Sequence, residues 1–198
     1  MQQTPEPYAK RCALHFGHVT ENGGLMSGIG SQIGSVVGTL AGGWEAYQDM
    51  LQNIKPTPTP FPGIQVYETS LLPEDYGVTL PPAGIFVGKG SGLDTKQHEY
   101  GHYLQYKDMG AGSFYWNVGL PSIYNVAENN LETVLFGKLT YSVDHRYYSV
   151  ETDANQRALN FFGSSIDKNF NNYFPTNTRT TPYNWYERMW RYFYQIFK

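Results

Sequence analysis

The chain has 198 residues, of which 40% are hydrophobic and 16% are charged, and its formal net charge is −3. This composition predicts one soluble globular domain with room for an appendage, and it contains neither the basic excess of a nucleic-acid-binding protein nor a charged tail. Cys12 is the only cysteine. An internal disulfide and a cysteine-built zinc site are therefore excluded, so histidines and carboxylates must hold any metal.

Residues 1–60 are predicted to precede a working domain at 61–198. The N-terminus lacks an apolar stretch behind a basic start, which argues against a signal peptide. The protein therefore either stays where it is made or forms the tail of a longer exported protein. Residues 24–44 carry no charge, and glycines recur there at every fourth position. The segment is interpreted either as a connector or as a helix that contacts membranes or oligomerises. Alternating prolines at 56–62 predict an extended spacer and the domain boundary.

The working domain is predicted to have an α+β fold. The apolar runs "GIQVYE" (63–68) and "AGIFVGKG" (83–90) are bounded by glycine or proline and predict short strands. The second strand is interpreted as an open sheet edge that pairs with an extended peptide. Residues 183–197 carry eight aromatic side chains, which predict a last helix that covers the domain with one face.

Three further helices are predicted from their end signals. Asp94 as the N-cap and Gly110 as the stop delimit the first helix. Pro121 stands at a favoured first position of the second helix. Ser149 as the N-cap and Gly163 as the stop delimit the third. Both segments that carry metal-ligand candidates therefore fall on helices.

The pentapeptide "HEYGH" in the first helix predicts a zinc site. His98 and His102 are four residues apart, so their side chains lie on one face, one turn apart, and can reach the same ion. Zinc prefers nitrogen ligands, and a catalytic zinc uses three protein ligands plus a water. Glu99 is placed beside the ion to take a proton from that water. From the motif alone, the alternative is an ordinary helix with two satisfied histidines.

Glu151 is the best candidate for the third ligand, because it lies in the first turn of a separate helix. Asn155 follows one turn later on the same face, where its side-chain oxygen can accept the second ring N–H of a ligating histidine. Gly101 and Ala154 leave room for the two helices to approach closely. The alternative for Glu151 is a carboxylate stabilised by the positive end of its helix.

Three residues shortly before Glu151 are candidates for the group that stabilises an oxyanion. His145 can donate from its imidazole, and Tyr147 and Tyr148 can donate from their phenols. The alternative is a surface loop with structural tyrosines. His145 and Tyr148 are retained as the catalytic candidates.

"HEYGH" and "ETDAN" (151–155) together resemble the gluzincin branch of the zincin metallopeptidases, the class that includes thermolysin. The stretch from about 84 to 163 is more closely similar to the small HEYGH domains at the C-terminal ends of bacterial Rhs-repeat proteins. The resemblance implies a minimal zincin fold, in which a small sheet stands beside the HExxH helix and a second helix supplies a glutamate.

The same resemblance implies site roles, with His98, His102 and Glu151 as zinc ligands and Glu99 as the general base. Asn155 departs from the pattern, because thermolysin-like enzymes carry an aspartate there. An amide makes the histidine a less basic ligand than an aspartate would.

The function expected from these observations is zinc-dependent hydrolysis of peptide bonds. The resemblance further implies the toxin tail of a larger bacterial protein, delivered to a target cell, with a protein or peptide substrate and a cognate immunity protein as partners. Two alternatives remain open. In one, zinc only stabilises a non-catalytic interaction domain, and in the other, residues 24–44 insert into membranes and form the active part.

Overall fold

A computed structural model describes residues 55–59 and 61–198. The interpretations of residues 24–44, as a connector or as a membrane-active helix, lie outside these residues. The described chain has an α+β fold with one small sheet and several helices, which confirms the expected fold class. Within the described ranges, no helix combines the length and the apolar character needed to cross a membrane.

The sheet consists of β1 (Val66–Thr69), β2 (Gly77–Leu80) and β3 (Gly84–Gly88) in the order β1-β3-β2. β3 runs parallel to β1 and antiparallel to β2. The expectation that β3 offers an open edge to a peptide is therefore wrong, because its backbone is hydrogen-bonded on both sides. All five of its residues are buried. The outer strand β2 was not expected from the sequence.

The helices follow the sheet along the chain. They are α1 (Leu93–Phe114), a π-helical turn (Tyr115–Gly119), α2 (Leu120–Phe136), α3 (Ser149–Phe162), the short α4 (Phe170–Tyr173) and α5 (Trp185–Ile196). Single 3₁₀ turns precede and follow α3.

The ends of these helices match the predicted signals with three exceptions. Gly92 is the N-cap of α1, so the prediction of Asp94 is wrong, and the Asp94 carboxylate accepts from the Thr95 N–H within the first turn. Gly110 interrupts α1 at φ +75°, after which the helix continues for four residues. Tyr148 rather than Ser149 is the N-cap of α3.

An apolar core joins the sheet to α1. It contains six buried side chains, which are Phe61, Val66, Ile85, Val87, Tyr100 and Tyr103. The Tyr100 and Tyr103 hydroxyls donate to the carbonyls of Pro62 and Gly63, 3.0 and 2.8 Å away. The face of α1 that carries these tyrosines is thereby anchored to the segment that leads into β1.

Helices α1 and α3 touch backbone to backbone at Gly101. A Cβ atom built on Gly101 would lie 2.1 Å from the Ala154 carbonyl oxygen, closer than any real contact. Ala154 and Ala158 are fully buried. The close approach expected from these small residues is confirmed, and it places the candidate ligands of the two helices opposite one another.

Helix α5 begins with a capping box formed by Asn184 and Glu187. It buries only Tyr192, whose hydroxyl donates towards the carboxylates of Glu128 and Glu132 on α2. The covering face expected from the sequence is therefore narrow, and most of its aromatic side chains, including Trp190, are exposed.

Replacing Gly101 by alanine is expected to lower the free energy of unfolding by at least about 2 kcal/mol, because overpacking at a backbone contact forces the two helices apart. Urea unfolding of the metal-free protein measures the change. Gly112→Ala on the same helix is the matched control, since nothing lies within 4 Å of a Cβ there. It should be neutral or stabilising by up to about 1 kcal/mol through helix propensity. Equal effects of the two variants would contradict the close contact.

Candidate metal centre

The three predicted ligands converge between α1 and α3. One potential ligand atom from each of His98, His102 and Glu151 lies within 4.8 Å of the others. The Glu151 Oε2 atom is 3.0 Å from the His102 Nε2 atom and 3.4 Å from the His98 Nε2 atom. His102 and Glu151 are buried and His98 is partly buried. This group is positioned to hold a metal ion.

The His98 ring is fixed from two sides. Its Nδ1 atom lies 2.6 Å from the Asn155 Oδ1 atom, the contact expected from the sequence. Asn155 in turn donates to the Pro175 carbonyl at 2.7 Å. The Phe174 ring stacks on the imidazole with 4.5 Å between the ring centroids. The Nε2 atom is thereby directed towards Glu151.

His102 is held by Gln105, a residue that the sequence analysis missed. The Gln105 Oε1 atom lies 2.8 Å from the His102 Nδ1 atom. The amide nitrogen of Gln105 donates to the Val150 carbonyl and to the Asp153 carboxylate, both at 2.8 Å. The signal was present in the sequence, because residues three apart on a helix are neighbours.

Glu99 lies close enough to His102 for its charge to help raise the pKa of that histidine, and β2 determines where the Glu99 side chain lies. The Thr79 hydroxyl is 2.7 Å from the Glu99 Oε2 atom and 2.8 Å from the Glu99 backbone carbonyl. A Cβ atom built on Gly77 would come within 2.5 Å of the Glu99 carboxylate. The glycine therefore leaves the space that the carboxylate occupies. Thr79 was missed because β2 itself was not predicted.

The two oxygens of Glu151 contact different neighbours. Oε2 faces the imidazoles of α1, whereas Oε1 accepts from the Ser122 hydroxyl of α2 at 2.8 Å and lies 3.5 Å from the His145 Nε2 atom. Asn125 holds the other side of the His145 ring, with 3.0 Å between its Oδ1 atom and the Nδ1 atom. Of the three oxyanion candidates, His145 thus contacts a predicted ligand directly.

The two tyrosine candidates lie in different surroundings. The guanidinium of Arg179 covers the Tyr147 ring at 3.5 Å from its centroid. Tyr148 lines a recess of about 80 Å³ together with Asn125, Glu128 and other residues. Burial raises the pKa of the Tyr148 phenol, and the nearby Glu128 carboxylate adds to this effect. A phenol with a raised pKa stays protonated and can donate a hydrogen bond at neutral pH.

In the metal-free protein, attraction between opposite charges determines the protonation states of the buried pair His102 and Glu151. Burial lowers the pKa of His102, but the charge of Glu151 and its hydrogen bond outweigh burial and raise that pKa to about 9. Burial raises the pKa of Glu151, but the charges of His145 and His102 and two hydrogen bonds hold it well below its usual value. At neutral pH the metal-free site therefore contains an ion pair, and a metal must displace its proton.

The resemblance to gluzincin peptidases rests on the quoted residues of the sequence. The chain matches no family model, no curated protein and no solved structure.

The stability of the metal-free protein is expected to fall as the pH rises from 6.5 to about 9. The folded-state pKa of His102 is about 9 and its ordinary value is 6.5, so the stabilisation is fully present below pH 6.5 and is lost through pH 9. The loss corresponds to about 3 kcal/mol. Urea unfolding in the presence of a chelator measures it across this range. Glu151→Gln removes the partner charge and should flatten the profile, and an equally steep profile in that variant would contradict the pairing.

Proposed function

We propose that the domain is a zinc-dependent peptidase. The observation that carries the proposal is the convergence of two histidines from one helix and a glutamate from a second, with a further buried glutamate beside the first histidine. Three protein ligands leave a coordination position open for water or substrate, as catalytic zinc sites require.

The donor set fits zinc better than calcium or magnesium. Two imidazole nitrogens and one carboxylate oxygen match the ligands of a catalytic zinc site, whereas calcium and magnesium prefer sets made of oxygen atoms. When bound at His98, His102 and Glu151, the ion would supply the Lewis acidity that polarises a carbonyl and lowers the pKa of water towards 7.

Glu99 is the general base in this proposal. Its carboxylate takes a proton from the attacking water and passes it to the departing amine. The hydrogen bond from Thr79 fixes the position of this carboxylate without adding a charge. His145, held by Asn125 next to Glu151, is the candidate that donates to the oxyanion.

An extended peptide is the substrate class that the sheet favours. Among the described strands, β2 pairs with β3 alone, so its outer backbone edge is available to add a strand. The same strand carries Thr79 and Gly77, which contact Glu99 or leave space for it. A peptide paired with β2 would therefore lie beside the proposed base.

The resemblance to HEYGH domains of Rhs-repeat proteins supports a narrower proposal. In it, the peptidase is the toxin tail of a larger bacterial protein and cleaves proteins of a target cell. A cognate immunity protein protects the producing cell by blocking the site.

Purified wild-type protein is expected to contain about one zinc ion per chain. His98→Ala, His102→Ala and Glu151→Ala should each lose the ion, because each removes one of only three ligands. Glu99→Gln is the control and should keep it, since the base is not a ligand. Elemental analysis by mass spectrometry gives the content. Full zinc in Glu151→Ala would contradict the third ligand and would favour His145 in its place.

Glu99→Gln is expected to reduce hydrolysis at least about 100-fold with zinc retained, because a general base contributes roughly 10²–10⁴-fold. The assay is paired expression of wild type and variant in bacterial and in eukaryotic cells, with growth and proteome-wide cleavage recorded. The variant should express more readily and give a much smaller set of cleavage sites.

Glu74→Gln supplies the matched control, because it makes the same substitution at an exposed glutamate. It should behave as wild type in growth and cleavage. Identical growth and cleavage maps for wild type and Glu99→Gln would contradict the peptidase proposal and leave a structural role for the metal.

A further inference from the structure

Every imidazole at the site faces a side-chain amide. The pairs and their Nδ1–oxygen distances are His98 with Asn155 at 2.6 Å, His102 with Gln105 at 2.8 Å and His145 with Asn125 at 3.0 Å. No negative charge is added by these contacts, because the amides are neutral.

The orientation of each amide follows from its second contact. The NH₂ group of each donates to a backbone carbonyl, with nitrogen–oxygen distances of 2.7 Å from Asn155 to Pro175, 2.8 Å from Gln105 to Val150 and 3.0 Å from Asn125 to Val143. A carbonyl oxygen can only accept, so the amide nitrogen must face it and the amide oxygen must face the imidazole. An amide oxygen also only accepts. Each ring therefore carries a proton on Nδ1, and its Nε2 faces Glu151.

Gln105 lies on one ligand helix and bonds to the other. It is 1% exposed and lies on α1, three residues after His102. Its amide nitrogen bonds to the carbonyl of Val150, the residue before Glu151. One side chain thus contacts the second ligand and the backbone adjoining the third.

We propose that Gln105 is a positioning residue of the metal site, which fixes the His102 ring with its Nε2 lone pair directed towards the ion. This inference rests on the zinc site of the proposed function. Gln105 itself does not ligate the metal. It acts through the acceptor oxygen that holds the Nδ1 proton, as the outer partners of metal-bound histidines do.

Gln105 accepts a hydrogen bond from His102 and donates one to α3, and two substitutions distinguish the effects of these bonds. Gln105→Glu keeps an acceptor oxygen for His102 but loses the donor to the Val150 carbonyl and to the Asp153 carboxylate. Gln105→Met has a similar size and loses both. If the acceptor sets zinc binding, the two variants should differ. If Gln105 only ties the helices together, both variants should lose zinc affinity alike.

The experiment measures the zinc affinity of each purified protein by competition with a chromogenic chelator. Gln105→Met is expected to bind zinc about 10- to 100-fold more weakly than wild type, the usual effect of losing an outer partner. Gln105→Glu is expected to bind zinc at least about tenfold more tightly than Gln105→Met, because its carboxylate still accepts from His102 and makes the imidazole a more basic ligand, although Asp153 repels it.

Gln97→Met is the matched control. Gln97 is also 1% exposed on α1, but it bonds to the backbone of Ser165 and Asp167. Its loss should reduce stability to urea and leave zinc affinity unchanged. Equal affinity losses in Gln97→Met and Gln105→Met would overturn the inference, since they would reflect general loosening of the helix.

The zinc-loaded wild type provides a test that needs no variant to fold. Long-range ¹H–¹⁵N NMR should show the His102 Nδ1 atom protonated and the Nε2 atom bound to metal. A deprotonated Nδ1, or equal weakening in Gln105→Glu and Gln105→Met, would overturn the inference while the zinc site stands. A wild type that takes up no zinc would overturn the proposed function and this inference together.

Discussion

The backbone contact between Gly101 and Ala154 is the constraint on which the candidate site depends. An α-helix normally keeps its neighbours 8–10 Å away from its axis through side chains on both surfaces. Here a Cβ on Gly101 would overlap the Ala154 carbonyl, so the two helices meet without an intervening side chain. His98 and His102 lie on either side of this contact on α1. Their side chains can therefore reach Glu151 and Asn155 on α3. A wider separation would leave each polar group buried and unpaired, at considerable cost.

Two other buried carboxylates of the domain also have hydrogen-bond or charge partners in direct contact. Glu132 is fully buried, yet its carboxylate accepts from three successive backbone N–H groups at 140–142 and from the Tyr192 hydroxyl. Glu128 pairs with Arg188 of α5. These contacts bind the segment before His145 to α2, and Asn129 accepts from the His145 backbone N–H. Charge satisfaction on α2 therefore determines where the His145 ring can lie, although none of these carboxylates belongs to the metal group.

Short-range signals in the sequence were sufficient to predict the four long helices and the approach of α1 and α3, but not the short α4. "HEYGH" and "ETDAN" specify local geometry, and the small residues opposite one another predict the approach. Strand order was not readable, since it depends on contacts between distant segments. β2 is short and contains glycine and threonine, which carry little periodic signal. The error on β3 was avoidable, because an uninterrupted apolar run such as "GIFVG" is typical of a central strand buried on both faces.

The pentapeptide of α1 has no unconstrained position. A zinc-helix pattern is conventionally written with two arbitrary residues between the glutamate and the second histidine. In this domain Tyr100 fills the core against the sheet and donates to Pro62, while any side chain at Gly101 would clash with α3. Each of the five adjacent positions is thus constrained by its surroundings. The full pentapeptide HEYGH, rather than the pattern HExxH, is the motif to search for in other genomes. Its third and fourth residues depend on how the helix packs against the sheet and against α3.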